Sequence, residues 1–367
     1  MFLKLSLICS LVCAALSAQA MRLTYWGETV IRTGEKFQKT TIGGISGITY
    51  NEGILYAVSD DKGRDGEPRF YEFTLTLKNK TVELKPKAVH FVTGVPDDLI
   101  KKGGLDLEGL FRFPDGDILL SSEGKGSGKP RIQSKIIRLS SDGKWKSELG
   151  LPDKFLIETV GEQKKGPQNN RSLESLTGLP DGKMLFTTSE SALVQDVKSS
   201  EDHLGDGVRI VKYVDDGKGL QVKAEYPYKI DAFGKNAAGS PEFFRGISDM
   251  LAVSEDKILV LERGARFIGT TWASTVSIYL ADLRGAMDVS QVKSLGGEKI
   301  TYIPKTRLVD FETDLATVRK DVAIDNFEAL SWGPKLPDGR KTLLVMSDNN
   351  FSSKQRTELI VFAVENE

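Results

Sequence analysis

Asp325-Asn-Phe-Glu-Ala-Leu-Ser-Trp-Gly-Pro334, running on to Lys341-Thr-Leu-Leu-Val-Met-Ser-Asp348, decides the fold. It has three parts. An apolar–acidic–small–apolar tetrad, Phe327-Glu328-Ala329-Leu330, comes first. A Pro337-Asp338-Gly339 turn follows, where Pro presets φ and Gly accepts a positive φ. A short apolar run, Leu343-Leu344-Val345-Met346, then ends on Ser347 and Asp348. Two close copies lie upstream: Leu107-Glu108-Gly109-Leu110 leading to Ser122-Glu123, and Leu173-Glu174-Ser175-Leu176 leading to Ser189-Glu190. Two looser ones are Ile45-Ser46-Gly47-Ile48, leading to Ser59-Asp60, and Ile247-Ser248-Asp249-Met250, leading through Ile258-Leu259-Val260-Leu261 to Glu262. Repeats on this scale mean an array, solenoid or propeller.

The apolar runs are continuous rather than alternating, as expected of strands buried on both faces. Each unit offers about four strand-like segments, the content of one propeller blade. The aligned positions Ser46, Glu108, Glu174, Ser248 and Glu328 are 62, 66, 74 and 80 residues apart. The expectation is an all-β propeller. Five blades are favoured, and six follow if a degenerate repeat hides near 310–325. After Asp348 one strand remains, Glu358-Leu-Ile-Val-Phe-Ala-Val364, so the last blade is one strand short. The N-terminal strand Arg22–Ile31 can fill the gap, closing the ring and removing exposed edges.

Residues 1–20 read as a secretory signal peptide, with Lys4, an apolar stretch from Leu5 to Leu16 and Ala18-Gln19-Ala20 at the cleavage positions. The expected products are an exported chain, periplasmic or secreted, with residues 21–367 forming the propeller and no membrane span after cleavage. Both cysteines, Cys9 and Cys13, lie in the leader, which excludes disulfides and thiolate metal sites from the mature chain. Without Lys4 the chain has 49 basic and 51 acidic residues, so charge predicts neither nucleic acid nor a membrane surface as partner.

Around residues 40–364 the chain resembles a known family, the phytase-like proteins described as esterase-like activity of phytase. The residues that carry the likeness are Asp325–Pro334, Leu336-Pro-Asp-Gly-Arg340, Ser347-Asp-Asn-Asn-Phe351 and Gln355-Arg-Thr-Glu-Leu359, with Asp106-Leu-Glu-Gly109 and Ser59-Asp-Asp61. The resemblance implies a β-propeller distantly similar to calcium-dependent phytases.

The repeated carboxylates form two sets, one at the second tetrad position (Glu108, Glu174, Glu328) and one after the apolar run (Asp60, Glu123, Glu190, Glu262, Asp348), with Asp61 beside the latter. Equivalent positions in successive blades surround one axis, so these acids are expected to converge on one channel mouth. So many acids cannot all stay ionised without compensating cations. Hard divalent ions with oxygen ligands, Ca²⁺ above all, suit such a cage. Arg64, Arg131, Arg171, Arg245, Arg263 and Arg356 are candidates to bind a small phosphorylated or other anionic ligand, since arginine forks match phosphate and carboxylate. The competing reading makes the same acids ties between blades, because structural ion pairs use the same groups.

Other motifs fail. Gly124-Lys-Gly-Ser-Gly-Lys129-Pro130 lacks the first Gly and the hydroxyl of a phosphate loop. No Gly-x-Ser-x-Gly elbow occurs. The two histidines, His90 and His203, read as surface or structural. Two functions therefore stand: a metal-dependent phosphoester hydrolase, or a non-catalytic propeller that binds a ligand or a protein.

Overall fold

The computed structural model describes residues 20–63, 66–96, 105–128, 130–197, 206–232, 242–297, 299–320 and 322–366. All but the last residue of the expected leader, together with Arg64, Lys129 and His203, lies outside them.

Five four-stranded antiparallel sheets succeed one another along the chain. β1 (Arg22–Ile31) stands apart from them in sequence, followed by a ribbon of β2 (Lys36–Phe37) and β3 (Thr40–Thr41). Blade 1 comprises β4 (Ile45–Asn51), β5 (Ile54–Ser59), β6 (Arg69–Lys78) and β7 (Thr81–Phe91). Blade 2 comprises β8 (Leu107–Arg112), β9 (Ile118–Ser122), β10 (Lys135–Leu139) and β11 (Trp145–Leu149). Blade 3 comprises β12 (Leu173–Gly178), β13 (Met184–Ser189), β14 (Gly207–Asp215) and β15 (Leu220–Lys229). Blade 4 comprises β16 (Glu242–Ser254), β17 (Lys257–Ile268), β18 (Thr271–Asp282) and β19 (Lys305–Asp310). Blade 5 comprises β20 (Asn326–Trp332), β21 (Thr342–Asp348), β22 (Thr357–Glu365) and, on its outer edge, β1.

β1 pairs with β22 from Arg22↔Glu365 to Ile31↔Thr357, so the first strand of the chain completes the last blade as expected. Arg319 reinforces this seam. Its guanidinium reaches Glu28 of β1 at 2.7 Å and also Glu358 of β22. The sixth-blade alternative falls away: the stretch after β19 holds a single-turn helix, α1 (Phe311–Asp314), capped by the Asp310 side chain, rather than another sheet.

The continuous apolar runs have a direct explanation. Five buried clusters fill the five seams between blades. In β21, Leu343 and Val345 enter the seam with blade 4, while Leu344 and Met346 enter the seam with blade 1. A strand packed on both faces has no side to leave polar. The hairpin turns between first and second strands also fit the sequence. Gly116, Gly182 and Gly339 take φ of +94°, +71° and +88°, a region where a Cβ is strained.

The first strands of the five blades, β4, β8, β12, β16 and β20, line the axis. Their tetrads pack closely: a Cβ on Gly47 would lie 2.3 Å from the Glu108 carbonyl oxygen, and one on Gly109 would lie 2.5 Å from the Leu176 nitrogen. The third tetrad position is small for this reason. Blade 4 is the exception. There Asp249 accepts N–H bonds from Leu330 (2.6 Å) and its own neighbour Met250 (2.8 Å), tying blade 4 to blade 5. Burial pushes its carboxyl well above the usual range.

Candidate functional site

Every first strand has a register irregularity at the same place. The pairing skips Ser46 in β4, Glu108 and Gly109 in β8, Glu174 in β12, Ser248 in β16 and Glu328 in β20. A bulge leaves a residue out of the ladder and re-aims its side chain. The two serines turn to the adjacent blade, Ser46 donating to the Leu107 carbonyl at 3.0 Å and Ser248 to that of Phe327 at 3.4 Å. The three glutamates turn to the axis and line a cavity of about 400 Å³ at one mouth of the channel.

The second ring comes from the residues after the second strands. Here the register corrects the sequence. Ser59, Ser122, Ser189 and Ser347 pair with the first residue of their tetrads, Ile45, Leu107, Leu173 and Phe327. In blade 4 the residue in that slot, opposite Ile247, is Glu262. The true equivalent of Asp60, Glu123, Glu190 and Asp348 is therefore Arg263. Glu262 leaves the mouth entirely. Its oxygens take the Tyr228 hydroxyl (2.7 Å), the Lys305 ammonium (2.5 Å) and the Asp231 N–H (3.1 Å).

The mouth thus gathers Asp60, Glu108, Glu123, Glu174, Glu190, Glu328 and Asp348, with Lys62 and Arg263 as its cations and Asn170, Asn326 and Asn350 completing the wall. Arg263 donates to Glu190 at 2.9 Å and lies 3.1 Å from Glu328, joining blades 3, 4 and 5. Lys62 lies 2.5 Å from Asp106 and donates to Asn170 Oδ1 at 3.1 Å. Asp106, just before the blade 2 tetrad, forms with Glu108 and Glu123 a trio whose ligand oxygens all lie within 4.8 Å of one another. Sequence reasoning quoted Asp106 only for its family likeness, and it missed Lys62.

The electrostatics follow from burial and crowding. Burial pushes Glu108 well above the usual carboxylate range, helped by the charges of Glu174, Asp106, Asp60 and Glu123. Burial does the same to Glu174, with Glu123, Glu190 and Glu328 adding to it. Asp348 is raised by burial and then by Asp60 and Glu328. Glu328 is raised by burial against the opposing pull of Arg263. Burial and the Asp106 charge push Glu123 up to about 8, although it accepts the Ser172 N–H. Glu190, raised by burial but held back by Arg263, sits at about 7. The cations move the other way from their burial. Carboxylates, Glu328 and Glu190 above all, hold the partly buried Arg263 guanidinium above its ordinary pKa, and Asp106 raises the Lys62 ammonium. Acids driven toward the neutral form mark a place with too little positive charge.

The remaining sequence candidates lie elsewhere. Asp61 forms a buried pair with Arg69 at 2.8 Å and does not face the mouth. Arg131 staples a loop through the carbonyls of Gly126, Glu158 and Gly161. Arg245 forks onto Glu242 (3.0 and 2.7 Å), and Arg356 bonds Asp325 and the Ala323 carbonyl. Arg171 lies over the Phe244 ring at 4.6 Å, and its charge opposes the rise of Glu190. Of the arginines proposed from sequence and described here, Arg263 alone lines the mouth. His90, stacked on Phe70 and 3.1 Å from Glu72, belongs to the outer part of blade 1.

At the opposite end, the fourth tetrad residues Ile48, Leu110, Leu176, Met250 and Leu330 line a smaller cavity of about 180 Å³. All five are buried. This apolar ring separates the two cavities and keeps the carboxylates against a low-dielectric floor.

Several solved structures match the chain at low identity. The endo-arabinase from Bacteroides thetaiotaomicron VPI-5482 is 12% identical, with 87% of this chain and 93% of that one covered at a TM-score of 0.42. The exo-beta-1,3-galactanase from Phanerochaete chrysosporium is 9% identical, with 92% and 64% covered at 0.45. Identities this low say nothing of activity. No curated protein matches the chain. The family described as esterase-like activity of phytase matches residues 40–351, from the ribbon before blade 1 to the loop that follows Asp348, and the chain belongs to this phytase-like family.

Proposed function

We propose that this protein is a phytase-like hydrolase acting on phosphoesters, with a divalent cation, Ca²⁺ being the best fit, held at the carboxylate mouth. The observation that carries the reading is the convergence of seven repeat-derived acids on one cavity whose described lining holds two cations, Lys62 and Arg263. The donor set fits a hard cation. Asp106, Glu108 and Glu123 offer oxygens within 4.8 Å of one another, and the described cavity lining has neither imidazole nor thiolate. These three would hold the ion. Bound there, it would supply charge to a phosphoryl oxygen and lower the pKa of a water.

The chain's own residues divide the remaining work. Arg263, fixed between Glu190 and Glu328, presents its guanidinium to an anionic group entering the mouth. Glu190, at about 7, is poised to take or give a proton near neutral pH. Among the described residues the lining has no serine, threonine or cysteine, so in this reading water is the attacking group.

The test is release of phosphate from inositol hexakisphosphate and from p-nitrophenyl phosphate. Turnover should require added Ca²⁺ and stop with chelator. E108Q should lose it at least a hundredfold while still unfolding in one cooperative transition. Tight binding of the phosphoester without turnover would favour the binding-propeller reading. Turnover unaffected by chelator would overturn the metal's role.

A further inference from the structure

Blade 4 rises above the others. Its second strand does not stop at the mouth: β17 continues five residues past Arg263 to Ile268, and β18 returns from Thr271. At about 3.3 Å per residue, the hairpin projects roughly 17 Å beyond the carboxylate ring. Its end is apolar. Phe243, Phe267, Ile268 and Trp272 are 42%, 46%, 50% and 60% exposed. Phe267 and Trp272 are direct cross-strand partners. With Phe243 they form one aromatic cluster, with ring centroids 4.4–5.1 Å apart.

Two features decide what covers it. First, alternation along β17 puts Ile268 on the face opposite Phe267 and Trp272, so the tip is apolar on both sides. A small ligand or a flat protein surface would cover one face; a fluid apolar phase covers both. Second, Phe267-Ile-Gly-Thr-Thr-Trp-Ala-Ser274 contains no charge, in a chain where 28% of residues are charged. Arg266, the nearest one, is folded back onto Glu242 at 3.1 Å and Glu312 at 2.9 Å. Exposed clusters of this kind mark interaction sites, and Trp with Thr at a tip suits the boundary between headgroups and acyl chains.

We infer that the β17–β18 hairpin inserts into the interface of a lipid bilayer and turns the carboxylate mouth toward that surface. The attachment is hydrophobic, not electrostatic, in keeping with the neutral chain. An interfacial element sinks about 5–10 Å, which leaves the mouth on the order of 10 Å from the headgroups. The inference is independent of the reaction proposed above.

The test is co-sedimentation of the whole protein with uncharged phosphatidylcholine vesicles, read together with quenching of Trp272 by lipids brominated in the acyl chain. Wild type should bind and be quenched, with little response to salt. The F267S/W272S variant should lose at least tenfold in partition, and I268S on the other face should lose several-fold, each with an unchanged melting temperature. Absence of binding to phosphatidylcholine overturns the inference. So does binding that requires anionic lipid and disappears in salt. An I268S variant that binds like wild type would indicate a partner touching one face only and would equally overturn it.

Discussion

Two parts of this molecule bury charge, and they do it in opposite ways. In the wall of blade 3, Arg209 is fully buried and meets Asp196 through two bonds (2.6 and 2.9 Å), Glu225 at 2.9 Å, and the Val289 and Val292 carbonyls. Five donors find five acceptors, and the acids hold the guanidinium above its ordinary pKa. Among the described residues of the mouth, seven carboxylates share one arginine and one lysine, and six of them are raised above their ordinary pKa. A balanced cluster is finished when the chain folds. An unbalanced one costs stability until something positive arrives.

The sharpest way to break the contrast is to unbalance the wall. R209M leaves Asp196 buried without its arginine and Glu225 with Lys154 alone, at 3.2 Å. It should cost about 3–5 kcal/mol, the usual loss when one member of a buried pair is removed. Thermal denaturation should show the loss equally with Ca²⁺ and with chelator. Recovery of stability on adding Ca²⁺ would place this cluster in the same class as the mouth.

The mouth should make stability depend on pH. Glu123 at about 8 and Glu190 at about 7 bind protons in the folded state that the unfolded chain, with ordinary carboxylates near 4.5, has already lost. The unfolded state therefore binds fewer protons across this window, and stability falls as pH rises from about 4.5 to about 8, then levels. Saturating Ca²⁺ should flatten that slope and release protons on binding near pH 6.5. A melting temperature that climbs from pH 5 to 8 in chelator would contradict the pKa directions.

The smallest effect comes from balancing the mouth by mutation. E108Q/E123Q removes two of the crowded charges and should raise stability in chelator by about 1–2 kcal/mol, within the range of single-site effects. It should also abolish the rise that Ca²⁺ gives wild type by mass action. Lower stability in chelator would mean that these acids serve as ties between blades.

The five blades and the closing strand were legible because they rest on periodicity, and periodicity survives in Phe327–Leu330 and its copies. The site was legible only in part. Glu262 follows an apolar run as Asp348 does, yet it stands where the other repeats have serine. The clue was the missing hydroxyl: Ser59-Asp60, Ser122-Glu123, Ser189-Glu190 and Ser347-Asp348, against Leu261-Glu262-Arg263. A one-residue slip reverses the face of every side chain in a strand, so this misalignment turned the ring's one arginine into a fifth acid. The bulges that aim Glu108, Glu174 and Glu328 left no mark in the chain, because a two-for-one pairing depends on the partner strand. Arg131, Arg245 and Arg356 are near the acids in sequence, but direction is set by loops that sequence does not specify.

The ring of Ile48, Leu110, Leu176, Met250 and Leu330 sets five buried apolar side chains across the axis, beyond the tetrad glutamates. A hydrated ion crossing it would exchange water for hydrocarbon, so passage from one end of the axis to the other is costly. Ions and anionic ligands therefore arrive at the carboxylates, and depart from them, on the carboxylate side of that ring.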